Sequence, residues 1–366
     1  MEQHSRHAVS GLARAAALVL AAAFLAAGCA ETPSEPTSAA PALKQPKIAI
    51  ELPEEYNTPD GMVLDTKTGD ILLSCPNFND DTHPAKIVRI DTSDKMTDVV
   101  TLPLHPDTKK AGPLGIDIAP DGNLYVADNQ SFGTDEIKSR LWRVVMENGK
   151  ATKVEVVATG FFMANAVACR GDCVYVTESK FDPKAKPFQS GVYRFTISEL
   201  KADDPVTLEP GGKDPHVIVT FGTKDPDWVG ANGMGFDADG NMFVCNFGDA
   251  QIVKITFDAL GKVASQKVLA EGSGMKSCDG MKVDLKTGDI YVADFLGNAV
   301  HKVDGKTGKV TTIARNDNTD GTGGLLDRPS EVCLRDGKIY VSNIDLALAG
   351  NEYDKPHTIS VIELDE

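Results

Sequence analysis

Six segments of the sequence share one pattern. Each has a polar or small residue near its start, alternating apolar residues up to a tight turn, and an apolar run that ends in a small or polar residue. The segments occupy residues 59–75, 113–128, 164–178, 231–246, 278–294 and 329–343. The turns read TGD, DGN, GD or DGK, which suit residues with positive φ. A period of about 50 residues is typical of radially repeated β-structures.

Each segment supplies two strands of a larger unit, and further β-rich runs follow it. A third run occurs in every unit, at residues 85–91, 140–145, 191–197, 251–257, 299–304 and 357–364. A fourth run follows in most units, for example at residues 154–159, 217–221 and 309–314. Four strands per radial repeat form a propeller blade, so the sequence predicts an all-β, six-bladed β-propeller over residues 47–366. A β-sandwich would not require six matched repeats.

The sixth unit has no fourth run, whereas an additional run at residues 47–52 precedes the first unit. We therefore predict that this N-terminal strand is the outer strand of the last blade. The pairing would close the ring and remove an exposed sheet edge.

The N-terminus has the features of an export signal. Residues 1–28 contain two arginines and then the apolar run Ala15–Ala27, which is short for a membrane span. The run ends in small residues before Cys29, which is similar to a bacterial lipobox with Cys29 as the lipidated residue; an ordinary cleaved signal is the alternative. Residues 29–46, rich in Pro, Ser, Thr and Ala, are expected to form a disordered tether. Because Ala30 is not aspartate, attachment to the outer membrane, facing the periplasm, is expected.

The charge and the cysteine content of the chain indicate which binding partners and which disulfides to expect. The formal net charge of −16 and the absence of a basic stripe make nucleic acid an unsuitable partner. Membrane contact is expected only through the lipid, and the expected ligand is a small molecule. An exported chain can retain disulfides, and Cys169 and Cys173 flank a hairpin turn. A disulfide between these two cysteines is therefore possible, while the other cysteines have no spacing that dictates pairing.

The residue that starts each innermost strand of a propeller points toward the central channel. In the six repeats this axial column is Asp60, Leu114, Asn165, Asn232, Asp279 and Ser330. Four of these side chains carry carboxylate or amide oxygens, which hard divalent cations prefer. We predict a metal site formed by Asp60, Asn165, Asn232 and Asp279, most simply for Ca²⁺, with Zn²⁺, Mn²⁺ and Mg²⁺ left open.

A second polar column ends the second strand of most repeats. It contains Asp128, Glu178, Asn246, Asp294 and Asn343, and blade 1 has Cys75 in its place. Together with Ser330, these residues are expected to orient the metal ligands. Strand ends beside turns favour Asp and Asn in any case, which is the alternative. Asp65, Asp117, Asp237 and Asp284 precede hairpin turns and are expected to cap them.

The repeats and their axial residues resemble the senescence-marker-protein/gluconolactonase/luciferin-regenerating-enzyme (LRE) superfamily, which is related to diisopropylfluorophosphatase and the paraoxonases. Asn165 in ANAV, Asn232 in ANGM and Asp279 in CDGM match metal-ligand positions of that superfamily. Asp60 in PDGM stands where the superfamily has glutamate, one methylene longer. The resemblance covers residues 48–366, but noncatalytic propellers of the NHL type share the strand repeats.

The resemblance implies a divalent-metal-dependent hydrolase of lactones or related esters, with Asp279 as the catalytic general base or nucleophile. The alternative is a noncatalytic NHL-like binding propeller with a structural axial ion. Residues 161–163, just before Asn165, are the best candidates for a pocket wall. Five histidines, His83, His105, His216, His301 and His357, fall in loops or outer strands and are expected at the surface.

Overall fold

The computed structural model describes residues 42–80 and 82–364 of the chain. Within this part there are 25 β-strands and three single-turn 3₁₀ segments, at Glu54–Tyr56, Phe247–Asp249 and Thr322–Gly324. No helix among the described residues is long and apolar enough to cross a bilayer. The predicted signal peptide 1–28, the predicted lipidation site Cys29 and most of the predicted tether 29–46 lie outside the described residues.

The strands form six sheets, one per blade, each built mainly from antiparallel neighbours. Blade 1 contains β2 (Met62–Leu64), β3 (Ile71–Cys75), β4 (Lys86–Ile90) and β5 (Met96–Thr101). Blade 2 contains β6 (Pro113–Ile118), β7 (Leu124–Asp128), β8 (Ser139–Glu147) and β9 (Lys150–Phe161). Blade 3 contains β10 (Ala164–Arg170), β11 (Cys173–Glu178), β12 (Gln189–Thr196) and β14 (Val217–Gly222).

Blade 4 contains β15 (Ala231–Phe236), β16 (Met242–Asn246), β17 (Gln251–Phe257) and β18 (Val263–Glu271). Blade 5 contains β19 (Met281–Val283), β20 (Asp289–Asp294), β21 (Ala299–Asp304) and β22 (Val310–Arg315). Blade 6 contains β23 (Pro329–Arg335), β24 (Lys338–Asn343), β25 (His357–Glu363) and β1 (Lys47–Leu52).

The innermost strands surround a common axis. Strands β2, β6, β10, β15, β19 and β23 contact one another in this order, and β23 contacts β2 again. The six-bladed β-propeller is therefore confirmed. In blade 6, β1 pairs antiparallel with β25, with Lys47 opposite Val361 and Leu52 opposite His357.

The hydrophobic core lies between neighbouring blades. Alternate residues of each central strand face opposite sides of the blade, so a strand such as β7 contributes Tyr125 to one interface and Val126 to the next. Six buried clusters occupy the six blade–blade interfaces. Trp142 and Phe161 are fully buried in two of them. Burying a large aromatic side chain stabilises the fold by about 1.5–3 kcal/mol.

The insertion in the third repeat pairs with a neighbouring blade. The two-residue strand β13 (Val206–Thr207) lies parallel to β9, so it extends blade 2 rather than blade 3. At the N-terminal side, the backbone N–H of Lys44 donates to the carbonyl of Ile313 at 2.8 Å, and Pro46 is buried. The segment just before β1 thus packs on blade 5, although the sequence places it in the tether.

The disulfide considered for Cys169 and Cys173 is not formed, because both are free cysteines. In the hairpin β10–β11, Cys169 lies opposite Val174 and Cys173 lies opposite Arg170. The two thiols consequently face opposite sides of the sheet, and each packs on a different interface cluster. Because Arg170 pairs with Cys173, the turn contains only Gly171 and Asp172, and Cys169 is one position out of register with Cys173. The prediction wrongly took all three intervening residues as the turn.

Candidate active site

The structure brings the four predicted axial oxygen donors to one cavity. Asp60, Asn165, Asn232 and Asp279 all line a cavity of about 220 Å³ at the end of the channel where the innermost strands begin. Leu114, the blade 2 member of the axial column, lines the same cavity. Ser330 does not line it, but its hydroxyl hydrogen-bonds the Asp60 carboxylate. Five of the six axial residues thus face one space.

The two carboxylates of the cavity disfavour each other's charge. Burial and the charge of Glu331 raise the pKa of Asp60 to about 7, against the lowering effect of the Ser330 hydrogen bond. Burial, with repulsion from Asp60 and Glu331, holds the pKa of Asp279 well above its usual range. The side chain of Asn232 hydrogen-bonds Asp279 and partly opposes this shift. A pair of mutually repelling carboxylates beside two amides is a donor set that fits a divalent cation.

The innermost strands can bring these residues together because small residues follow them. The residue after the axial position is Gly61, Gly115, Ala166, Gly233 or Gly280 in five of the blades. A Cβ on Gly233 would lie 2.3 Å from the carbonyl oxygen of Asp279, and the Gly233 N–H donates to that oxygen at 3.1 Å. Neighbouring innermost strands are therefore in backbone contact at the level of the site.

The wall of the cavity is aromatic and aliphatic. Phe78, Trp228, Phe247, Phe295, Ile344, Leu346 and Leu348 contribute to it. Of the predicted wall at 161–163, only Met163 lines the cavity. Phe161 is fully buried between blades 2 and 3, because it ends β9 instead of belonging to the loop above the channel. The ring of Phe247 instead packs between Trp228 and Phe295, with centroid separations of 5.6 and 6.1 Å.

Most of the second polar column binds backbone, not the metal-ligand side chains. Asp128 accepts from the N–H of Gly112 at 2.9 Å, and Glu178 accepts from the N–H groups of Phe162 and Met163. Asp294 accepts from Lys276 and Ser277, and Asn343 accepts from Asp327. Each donor lies two or three residues before an axial position. These side chains therefore position the segment that leads into each innermost strand.

Two members of the second column depart from this rule. Asn246 donates its amide to Gly222, Asp249 and Gln251 and accepts nothing from the leading segment of blade 4. In blade 1 the column has Cys75, and the segment before the innermost strand is instead held by Asn77, two residues later. The Oδ1 of Asn77 accepts a hydrogen bond from the N–H of Asn57 at 3.0 Å. Sequence reasoning missed Asn77 because it lies outside the repeat.

The histidine prediction is wrong for three residues. His301 is fully buried, and His357 and His105 are 2% and 8% exposed. His301 and His357 are on third strands, which lie between the second and fourth strands of the blade and pack on both neighbouring blades. His301 Nε2 lies 3.1 Å from Asp294 Oδ2. Although burial favours the neutral carboxyl, this contact and hydrogen bonds from Lys276 and Ser277 lower the pKa of Asp294.

The channel contains a second charged group beyond the axial cavity. Lys282 Nζ lies 3.0 Å from Glu331 Oε2, on neighbouring innermost strands. Although burial favours the neutral amine, the Glu331 carboxylate raises the pKa of Lys282. Lys282 faces a separate cavity of about 570 Å³ at the other end of the channel. The sequence analysis did not identify either residue.

Asp117 also differs from its prediction. Asp65, Asp237 and Asp284 accept backbone N–H groups of their own turns, as expected for caps. Asp117 instead accepts from the N–H of Cys169 in the neighbouring blade at 2.6 Å, and it lines the same cavity as Lys282. Burial raises the pKa of Asp117 to about 6. It joins blades 2 and 3.

Comparison with known proteins identifies a related family and several propellers of the same fold. The family model of the SMP-30/gluconolactonase/LRE-like region matches residues 207–318. The predicted resemblance is confirmed. No curated protein matches the sequence.

Several solved propellers share the fold. A calcium-binding protein, regucalcin, from Agrobacterium tumefaciens has a TM-score of 0.57 at 14% identity, covering 87% of this chain and 93% of its own. A gluconolactonase from Xanthomonas campestris has a TM-score of 0.55 at 14% identity, with 89% and 98% covered. A PQQ-bound aldose sugar dehydrogenase from Streptomyces coelicolor has a TM-score of 0.53 at 16% identity, with 88% and 98% covered. At these identities the likeness establishes the propeller fold, and function has to be argued from the site.

Proposed function

We propose that this protein is a divalent-metal-dependent hydrolase of lactones or related esters, exported and held at a bacterial membrane by lipid on Cys29. The observation that carries the catalytic proposal is the convergence of Asp60, Asn165, Asn232 and Asp279 on one cavity. The match of residues 207–318 to the SMP-30/gluconolactonase/LRE-like region supports the same reaction class. The apolar run before Cys29 supports the anchor.

The size and wall of the cavity favour a small substrate. Its volume of about 220 Å³ is below the 300–1,000 Å³ typical of pockets for drug-sized ligands. Trp228, Phe247 and Phe295 give it an apolar side, against which a ring or short chain can pack and from which water is displaced. The four oxygen donors lie at its base, so a lactone would place its polar group toward them.

Each residue has a distinct part in the proposed reaction. A divalent cation held by the four oxygen donors would act as a Lewis acid toward the carbonyl oxygen of the substrate. Asp279 lines the cavity with the other donors, where its carboxylate could accept a proton from the attacking water. Asn232 holds the Asp279 carboxylate by a hydrogen bond. Asp60 supplies the second negative charge of the donor set, and Asn165 supplies a neutral oxygen.

The test is hydrolysis of a panel of sugar lactones, aliphatic lactones and phosphotriesters by the purified chain, stripped with chelator and reloaded with Ca²⁺, Zn²⁺, Mn²⁺ or Mg²⁺. We expect metal-dependent turnover that Asp279→Asn reduces by at least about 10³-fold. Asp258→Asn is the matched control, because Asp258 is an exposed turn cap that does not line the cavity. Hydrolysis of none of these substrates with any metal would reject the proposal and favour the noncatalytic binding propeller.

A single turnover in H₂¹⁸O separates the two roles open to Asp279. A general base directs labelled water to the substrate, so the label appears in the first equivalent of product. A nucleophilic carboxylate displaces the ring oxygen of the lactone and forms a mixed anhydride with its acyl group. Attack of labelled water on the carboxyl carbon of Asp279 then breaks the anhydride and leaves the label on Asp279. Mass spectrometry of the peptide that contains Asp279 distinguishes the two outcomes.

A further inference from the structure

Blade 6 contains a group of acidic side chains away from the axial cavity. Asp327 lies just before β23, and Asp345 and Asp354 lie in the loop 344–356 between β24 and β25. One carboxylate oxygen of each lies within 4.8 Å of the other two. Asp327 and Asp345 are each only 2% exposed. Three carboxylates are therefore concentrated in a largely buried space.

The group contains buried oxygen atoms without a hydrogen-bond partner. Within the described structure, Oδ1 of Asp327, Oδ1 of Asp354 and Oδ1 of Asn351 are buried and accept no hydrogen bond. Asn351 is 8% exposed, and its amide nitrogen donates to Asp345 Oδ1 at 2.9 Å, which brings this side chain into the acidic group. Buried polar atoms are nearly always paired in folded proteins. Three unpaired acceptors at one place point to a missing positively charged partner.

The surrounding cations do not fill this role. Arg328 directs its guanidinium to the carbonyl oxygens of Phe295 and Ala349. The Lys355 ammonium pairs with Glu54, which is not part of the acidic group. His357 Nδ1 lies 3.6 Å from Asp345 Oδ2, within ion-pair distance but beyond hydrogen-bond distance, and its Nε2 faces Glu54 at 3.7 Å.

The donor atoms of the group are all oxygens, and this favours a hard cation such as Ca²⁺ over Zn²⁺. Three carboxylates and one amide oxygen resemble the ligand sets of Ca²⁺, which takes six to eight oxygens with water completing the shell. Zinc sites are usually tetrahedral and rich in nitrogen or sulfur ligands. The three carboxylates exceed the charge of one dication by one unit, so the site would hold a dication without excess positive charge.

We propose that Asp327, Asp345, Asp354 and the amide oxygen of Asn351 bind a second divalent cation, of the calcium type, that fastens the loop 344–356. Leu346 and Leu348 of this loop line the axial cavity. The carbonyl of Asp345 also accepts from Asn79 Nδ2 of blade 1 at 2.7 Å. A cation at this position joins the loop to the segment before β23 and holds one wall of the cavity in place.

Calorimetric titration of the chelator-stripped full chain with CaCl₂ tests the proposal in an Asp279→Asn background, which disables the axial site. We expect this variant to retain one Ca²⁺ site per chain. Adding Asp327→Asn and Asp354→Asn should weaken that site at least about hundredfold, because affinity follows the charge of the ligand set. Glu352→Gln is the matched control, since it removes one charge from an exposed position of the same loop. Its affinity should be unchanged.

Thermal melting of the same variants gives a second test, in which the expected Tm difference between the substituted chain and its parent differs between chelator and Ca²⁺. In chelator, Asp327→Asn with Asp354→Asn should raise the Tm, because it relieves repulsion among buried carboxylates. At a Ca²⁺ concentration a hundredfold above Kd, the Tm of the Asp279→Asn parent should rise by about 5 °C, and that of the substituted chain should not.

Two results would overturn the second site. One is that the Asp279→Asn chain binds no Ca²⁺ at millimolar concentration. The other is that the asparagine substitutions leave its affinity unchanged. Neither result depends on hydrolytic activity, so failure here is distinguishable from failure of the proposed reaction.

Discussion

Removing the charge of Lys282 should destabilise the propeller far more than removing that of another lysine in the same blade. Lys282→Met retains the unbranched stem and deletes the ammonium, which leaves the Glu331 carboxylate without its partner at 3.0 Å. The Lys282 and Glu331 side chains are 29% and 10% exposed. Lys302→Met is the control, because Lys302 pairs with Asp289 at a similar 3.2 Å but at 38% and 19% exposure.

The two burial levels give different magnitudes. Breaking a buried ion pair by removing one partner costs about 3–5 kcal/mol, because an uncompensated charge stays behind. Partial exposure of Lys282 places its cost near the lower end, at about 3 kcal/mol. The Lys302–Asp289 pair is only partly buried, and Asp289 keeps more contact with water than the buried Glu331 does. Its loss should therefore lie in the range of pairs near the surface, so Lys302→Met should cost about 0.5 kcal/mol. For a domain of this size these costs correspond to Tm decreases of roughly 6 °C and 1 °C.

Differential scanning calorimetry in chelator at pH 7 measures both variants against the unsubstituted chain. Introducing Glu331→Gln into the Lys282→Met protein should restore part of the loss, since it removes the stranded charge. The reasoning fails if Lys282→Met melts no lower than Lys302→Met, or if Glu331→Gln adds to the loss without rescue. Either result would mean that the channel is wet enough to screen the pair.

Two further predictions concern the axial carboxylates and the anchor. Burial raises the pKa of Asp60 to about 7, so the metal-free folded protein binds the proton of the Asp60 carboxyl more tightly than the unfolded chain does. The stability that this proton contributes is complete below about pH 4 and is lost as the pH rises through 7. The Asp60→Asn side chain cannot ionise. In urea titrations in chelator, the free energy of unfolding of this variant relative to the parent should therefore increase by about 2–3 kcal/mol between pH 5 and pH 8. A difference that does not change with pH would contradict the assignment. Cys29→Ser should abolish incorporation of labelled palmitate and release the protein from the membrane fraction; retention with the label still attached would refute lipidation at Cys29.

The repeat explains why so much of the fold was predictable. Each blade must bury the same strand faces against its neighbours, so the apolar pattern recurs six times and identifies the strands. The axial residues have a fixed place in that pattern, and the cavity formed by Asp60, Asn165, Asn232 and Asp279 follows from it. Interactions that are repeated in every blade can therefore be predicted from a single sequence.

The missed channel residues are departures from the same pattern. One position after the axial residue, five blades have Gly or Ala and blade 6 has Glu331. Three positions after it, the column reads Val63, Asp117, Ala168, Gly235, Lys282 and Cys333. All six of these residues line the cavity of about 570 Å³. A charged residue in an otherwise small or apolar column was the available signal, and it marks a position facing the axis.

Other features had no periodic signal at all. The acidic group of blade 6 combines Asp327 with two residues of a loop that has no counterpart in the other repeats. The aromatic wall comes from loops of different length, such as those that carry Trp228 and Phe295. Contacts between irregular loops depend on the closed ring, and no local pattern encodes them.

The pairing of β1 with β25 has a consequence for the timing of folding. Lys47 and Val361 are about 310 residues apart, and closing so long a loop costs roughly 3 kcal/mol more entropy than closing a hairpin of about ten residues. The hairpins within each blade should therefore form early, and the joint between the two strands should form last. Until then the outer edge of β25 has no partner strand. The closed ring, which should unfold slowly, can therefore form only after synthesis has passed His357.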